Sequence, residues 1–91
     1  MDKKTTESAK KALCELLTKC VDISNGTKAA CFMDYEPHLN SYSVFLHRDG
    51  WSPTSEAEWI AMCKAITKDN VMATLEKLEK ICEELEGKEN V

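Results

Sequence analysis

Apolar residues recur by threes and fours from the start of the chain. Ala9, Ala12, Leu13, Leu16, Leu17, Cys20 and Ile23 line one helical face, while Lys10, Lys11 and Lys19 lie off it. Thr5 or Thr6 can cap this helix, and Glu7 in its first turn offsets the dipole. Asn25-Gly26 can close it in a left-handed conformation. The helical spacing through Cys20 and Ile23 argues against a strand beginning at Val21.

The period then changes to two. Strands are predicted over 28–36 and 41–48, with the bend between Pro37, which cannot donate to a ladder, and Asn40. If Pro37 pairs with Asn40, then Cys31, Met33 and Tyr35 face Leu46, Val44 and Tyr42 on one side. The other side pairs Phe32 with Phe45, Asp34 with Ser43, and Ala30 with His47. A one-residue slip would mix the two sets, so the first register is expected.

Two further helices are predicted. Ser55-Glu56-Ala57-Glu58 matches a capping box, and Trp59, Ile60, Cys63 and Ile66 can form an apolar face behind it. Lys68-Asp69-Asn70 breaks that pattern. Val71, Leu75, Leu78, Cys82 and Leu85 then make a coiled-coil-like seam widened by Met72 and Ile81, with Gly87 as its end. The expected order is α-β-β-α-α: an α+β fold, a short antiparallel hairpin packed against three amphipathic helices. Residues 1–91 form a single domain, with 1–4 and 88–91 expected to fray.

Size and composition narrow the classes. Ninety-one residues leave room for one core. Apolar runs are too short for a membrane span, and Met1-Asp2-Lys3-Lys4-Thr5-Thr6 has no apolar stretch behind its charges. A cytoplasmic chain without membrane contact is expected. The five cysteines, Cys14, Cys20, Cys31, Cys63 and Cys82, are odd in number and irregularly spaced, which suits reduced thiols rather than a disulfide scaffold. Cys20, Cys63 and Cys82 can meet in the core. No close Cys or His pair has zinc-ligand spacing, so neither metal nor cofactor is expected.

Net charge is −4, and 69–91 carries three Lys against seven acids. Such a chain does not condense on phosphate backbones, and its one Arg is Arg48, so direct nucleic-acid binding is disfavoured.

Five of the six aromatic residues and both histidines fall between Ala29 and Trp51. The hairpin is therefore the expected recognition surface, through Phe32, Asp34, Phe45, His47, Arg48 and Trp51. The commoner fate of such aromatics is burial: a helix covering Phe32 and Phe45, and Trp51 anchoring the second helix. The rival surface is acidic, Glu76, Glu79, Glu83, Glu84 and Glu86 of the last helix, which could imitate nucleic acid in a basic groove. No catalytic set emerges, because Cys31 and His47 point to opposite faces.

The leading expectation is a non-enzymatic protein-binding module, an inhibitor or adaptor of a larger protein. Its profile is that of many phage- and mobile-element-encoded inhibitors, an analogy of size and charge only. The alternatives are a small-molecule binder or minimal enzyme using His47 and Asp34, and a homo-oligomer joined through a hairpin edge or the last helix.

Overall fold

A computed structural model describes residues 5–89. The order is α1 (Glu7–Gly26), β1 (Ala30–Glu36), β2 (Ser41–His47), β3 (Glu58–Ala65) and α2 (Lys68–Glu89). The fold is α+β, but as α-β-β-β-α: two helices and a three-stranded antiparallel sheet in the order β1-β2-β3. The expected α-β-β-α-α order with three helices is overturned by β3.

The error has a physical cause. Trp59, Ile60, Cys63 and Ile66 match a helical face, but a short apolar run fits a strand equally well. What decides is β2. Ser41, Tyr42, Ser43, Val44, Leu46 and His47 are all buried, so β2 is a central strand. Its backbone needs a ladder on both sides, and β3 supplies the second. Ser55 caps no helix. Its hydroxyl turns the β2–β3 connection, accepting from the Ser52 N–H and donating to the Ser52 carbonyl, both at 2.9 Å.

The hairpin register is the expected one. Cys31, Met33 and Tyr35 oppose Leu46, Val44 and Tyr42, and Phe32 opposes Phe45. α1 begins at the expected cap, with Thr6 Oγ1 accepting from the Ala9 N–H at 3.1 Å. It does not end in a left-handed turn at Asn25-Gly26. Extended Thr27 closes it instead, its N–H and its hydroxyl both donating to the Ile23 carbonyl. Gly87 does not stop α2, which runs to Glu89. Of the ends expected to fray, 1–4 and 90–91 lie outside the described residues.

Both helices lie on the Tyr42–Val44–Leu46 side of the sheet. α1 buries Ala9, Ala12, Leu16, Cys20 and Ile23 there. The seam of α2 is buried within the chain: Val71 and Leu78 are fully covered, Cys82 and Leu85 nearly so. Each large aliphatic side chain so buried contributes about 1.5–3 kcal/mol. A seam consumed in this way is not free to pair with a second copy. The Tyr42 hydroxyl, 2.7 Å from Thr74 Oγ1, satisfies the polar tip of a wholly buried ring.

The outer edge of β1 is shortened. The Cys31 N–H donates to Ser24 Oγ of α1 at 3.0 Å rather than toward β2. By alternation, only Met33 and Tyr35 also point their backbone groups outward, before Pro37 ends the strand. The β3 edge is broken by two register shifts, with Cys63 in the left-handed region at φ 47°.

Candidate functional site

The face of the sheet away from the helices carries a row of aromatic rings, one per strand. Phe32 of β1 and Phe45 of β2 stack with centroids 4.8 Å apart and planes 2° from parallel. Trp59 of β3 continues the row, 4.8 Å from Phe45. That separation is the spacing of neighbouring strands, so the ladder itself sets the rings side by side. Phe45 opposes Phe32 in one pair and Trp59 in the other. Offset aromatic pairs of this kind contribute about 0.5–1.5 kcal/mol each beyond area burial.

No helix covers these rings. Phe32 and Phe45 are half-buried by their neighbours, and Trp59 is 49% exposed. The expectation that a helix covers Phe32 and Phe45 fails because both helices pack on the other face. Trp51, expected to anchor a helix, is 61% exposed in the β2–β3 connection.

His47 flanks the row, two positions beyond Phe45 on β2. Its ring stands edge-on to Phe32 and Phe45, at centroid distances of 5.6 and 6.0 Å. It is 6% exposed, and Nδ1 lies 2.8 Å from Ser55 Oγ. With its one hydrogen donated to the Ser52 carbonyl, Ser55 can only accept from Nδ1–H. In that arrangement the imidazole orders the loop and does not activate the serine. Asp34 is exposed on the same face, but it pairs with Ser43, four positions along β2 from His47. That is about 13 Å of strand, beyond hydrogen-bond reach. Cys31 lies on the helix side, away from His47, as the register requires.

Arg48 is committed within the molecule. Its Nε and Nη2 grip the two oxygens of Glu58 at 2.6 and 3.1 Å, and Nη1 reaches Glu84 at 3.2 Å. Among the rival acidic residues, Glu84 is therefore engaged, while Glu76, Glu79, Glu83 and Glu86 lie exposed along α2. The Arg48 guanidinium, chiefly through its hydrogen bonds, holds the Glu58 carboxyl below its ordinary value. A carboxyl so depressed stabilises the fold above the ordinary carboxylate range and loses that effect as pH falls through its own value. Urea melts from about pH 6 to 3 should therefore show a steeper loss for the parent than for Glu58→Gln. With Glu58 at 41% side-chain exposure, solvent screening keeps the difference below about 1 kcal/mol.

The surface also holds a recess beside the face and another on the helix side of β1. One of about 400 Å³ lies at the end of β2 and is lined by His47, Arg48, Asp49, Ser55, Glu56 and Glu58, among others. The other, about 350 Å³ and largely apolar, runs between α1 and β1 past Leu13, Leu17, Met33 and Tyr35.

The cysteines are free, and Cys20, Cys63 and Cys82, which could have met in the core, do not. Cys20 and Cys82 are buried, whereas Cys63 sits exposed in the β3 bulge, its Sγ 3.9 Å from Glu36 Oε1. The Cys20 and Cys31 thiols are neighbours between α1 and β1. Their interaction, with burial, raises the pKa of Cys31, and the same interaction lowers that of Cys20. Native alkylation should modify Cys14 and Cys63 first, leaving Cys20, Cys31 and Cys82 until the chain unfolds. Peptide mapping after timed iodoacetamide treatment checks this order. Among the described residues, no group of three His, Cys, Asp or Glu is placed to hold a metal ion. Nor is any helix long and apolar enough to cross a membrane.

Trp59 is the site residue that the sequence reading missed. Its signal was masked twice: Trp59, Ile60, Cys63 and Ile66 fit a helical face, and the register shift that buries Ala61 opposite Val44 breaks the strand alternation after Trp59. Comparison with protein-family models, curated proteins and solved structures finds no match for this chain.

Proposed function

We propose that this protein is a non-enzymatic protein-binding module. It acts in the cytoplasm as an inhibitor or adaptor of a larger protein and engages it through the helix-free face of its sheet. The observation that carries this reading is the Phe32–Phe45–Trp59 row, with Trp59 about half exposed at one end. Aromatic side chains concentrate binding energy at protein interfaces, because they bury large areas with little loss of rotamer freedom. The polar groups beside the row belong to the molecule's own architecture, with His47 on Ser55 and Arg48 on Glu58.

A tagged parent chain should recover a protein from its native cell that Trp59→Ala, with unchanged circular dichroism, does not. Equal recovery by both would move recognition off this face.

The recess beside His47 favours a second reading, small-molecule binding, since its volume falls in the range of ligand sites. A ligand there would perturb amide signals of 47–50 and 55–58 and leave Phe32 and Trp59 untouched.

A further inference from the structure

The outward positions of the three strands have a one-sided charge. On β1 they are Ala30, Phe32, Asp34 and Glu36; on β2, Ser41, Ser43, Phe45 and His47; on β3, Trp59, Ala65 and, in the bulge, Cys63. Two are carboxylates, and none is Lys or Arg. Lys64 pairs with Tyr42 on the helix side, and Lys28 precedes β1 at the end away from Asp34 and Glu36. Arg48, which follows β2, is neutralised by Glu58 and Glu84.

The aromatic row and the carboxylates are spaced to act together. Asp34 follows Phe32 by two positions on the same face, about 7 Å along the strand. Glu36 is one step further, partly held by the Ser41 hydroxyl at 3.1 Å. A cation drawn to the face of an aromatic ring is stabilised by the ring's quadrupole, and a guanidinium can stack there while pairing with a nearby carboxylate. A nucleobase could also stack on the rings, but the phosphates beside it would meet Asp34 and Glu36, with no Lys or Arg among the outward strand positions to receive them.

Resting on the binding reading above, we infer that the partner docks a basic, arginine-bearing segment on this face. One guanidinium lies over the open face of Trp59, and a second basic side chain of the segment pairs with Asp34. Asp34 is two strands across from Trp59 and one step along, about 12 Å, close to the span between residues four apart in an extended segment.

The test uses the full chain, isotopically labelled, and four peptide probes with alternating glycine: arginine, lysine, glutamate and serine versions of one hexapeptide. An oligothymidine is the fifth probe. The arginine peptide should shift amide signals around Phe32–Glu36, Ser43–Phe45 and Trp59, and bind more tightly than the lysine peptide. Trp59→Ala and Asp34→Lys should each weaken it about threefold or more, as loss of an exposed cation–π contact or ion pair implies. Glu79→Lys with Glu83→Lys should leave the shift map in place.

Absence of response to the arginine peptide at about 1 mM, the weak limit of specific contacts, overturns the inference. So does a shift map that moves to α2 and follows the charge reversals there. Preference of the face for the serine or glutamate peptide overturns the basic chemistry while leaving the binding module standing. Preference for the oligothymidine overturns both. A captured partner that still binds Trp59→Ala moves recognition off this face and overturns the inference with it, whatever the peptides do.

Discussion

Leu78→Ala should lower the unfolding free energy by about 2–5 kcal/mol, the range for a leucine truncated in a core that cannot fully collapse. Leu78 has no exposed surface and sits one turn beyond Thr74, which meets the Tyr42 hydroxyl. Its loss opens a void where α2 packs into the common core with α1 and the sheet. A domain of this size has about 5–15 kcal/mol in total, so the variant should be visibly less stable in urea. Met72→Ala, two residues before Thr74 but 38% exposed, is the control and should cost about 1 kcal/mol or less. A Leu78→Ala loss below about 0.5 kcal/mol would contradict its place in the core. The parent should also scatter light as a monomer, because the α2 seam is already occupied.

The second large effect is on binding. Phe45→Ala with His47→Ala removes the centre of the aromatic row and the ring that flanks it. Once a partner is in hand, this pair should weaken binding by about 2 kcal/mol or more, the loss typical of a central aromatic contact. The loss should persist from low to moderate salt. Glu79→Lys with Glu83→Lys reverses two exposed charges on α2, on the opposite side of the molecule. If the acidic helix is the recognition surface, this variant abolishes binding, and the parent's affinity falls steeply with salt, because exposed charges are screened beyond about 8–10 Å. The two pairs of variants therefore separate a face of rings from a face of charges. Since Phe45 is half-buried, thermal melts must show both pairs folded before binding is compared.

Much of the architecture was legible because it is local. The α1 stripe, its Thr6 cap, the Pro37–Asn40 bend and the hairpin register all follow from neighbours in sequence. What was not legible depends on a distant requirement. Residues 58–65 carry a pattern that fits a helix or a strand, and only the unfilled ladder on β2 chooses between them. That one decision moved Trp59 from a presumed helix face to the end of the aromatic row. It left Phe32 and Phe45 uncovered and put Cys63 in an exposed bulge. It also changed the meaning of Arg48: an exposed recognition residue on a hairpin becomes the bidentate partner of Glu58 at the start of β3.

The serine that receives the Cys31 N–H bears on which kinds of contact the β1 edge can offer. Recognition by strand addition rests on backbone groups that every residue shares, so it tolerates drift in the partner's sequence. Here Ser24 occupies one end of the β1 edge, Pro37 closes the other, and bulges interrupt β3. Under the proposed binding function, such a molecule would discriminate through side chains on its bare face. Single substitutions in the partner would then abolish the contact, and single substitutions at Phe32, Asp34, Phe45 or Trp59 would restore or redirect it. The hydroxyl of Ser24 would thereby trade breadth of target for selectivity.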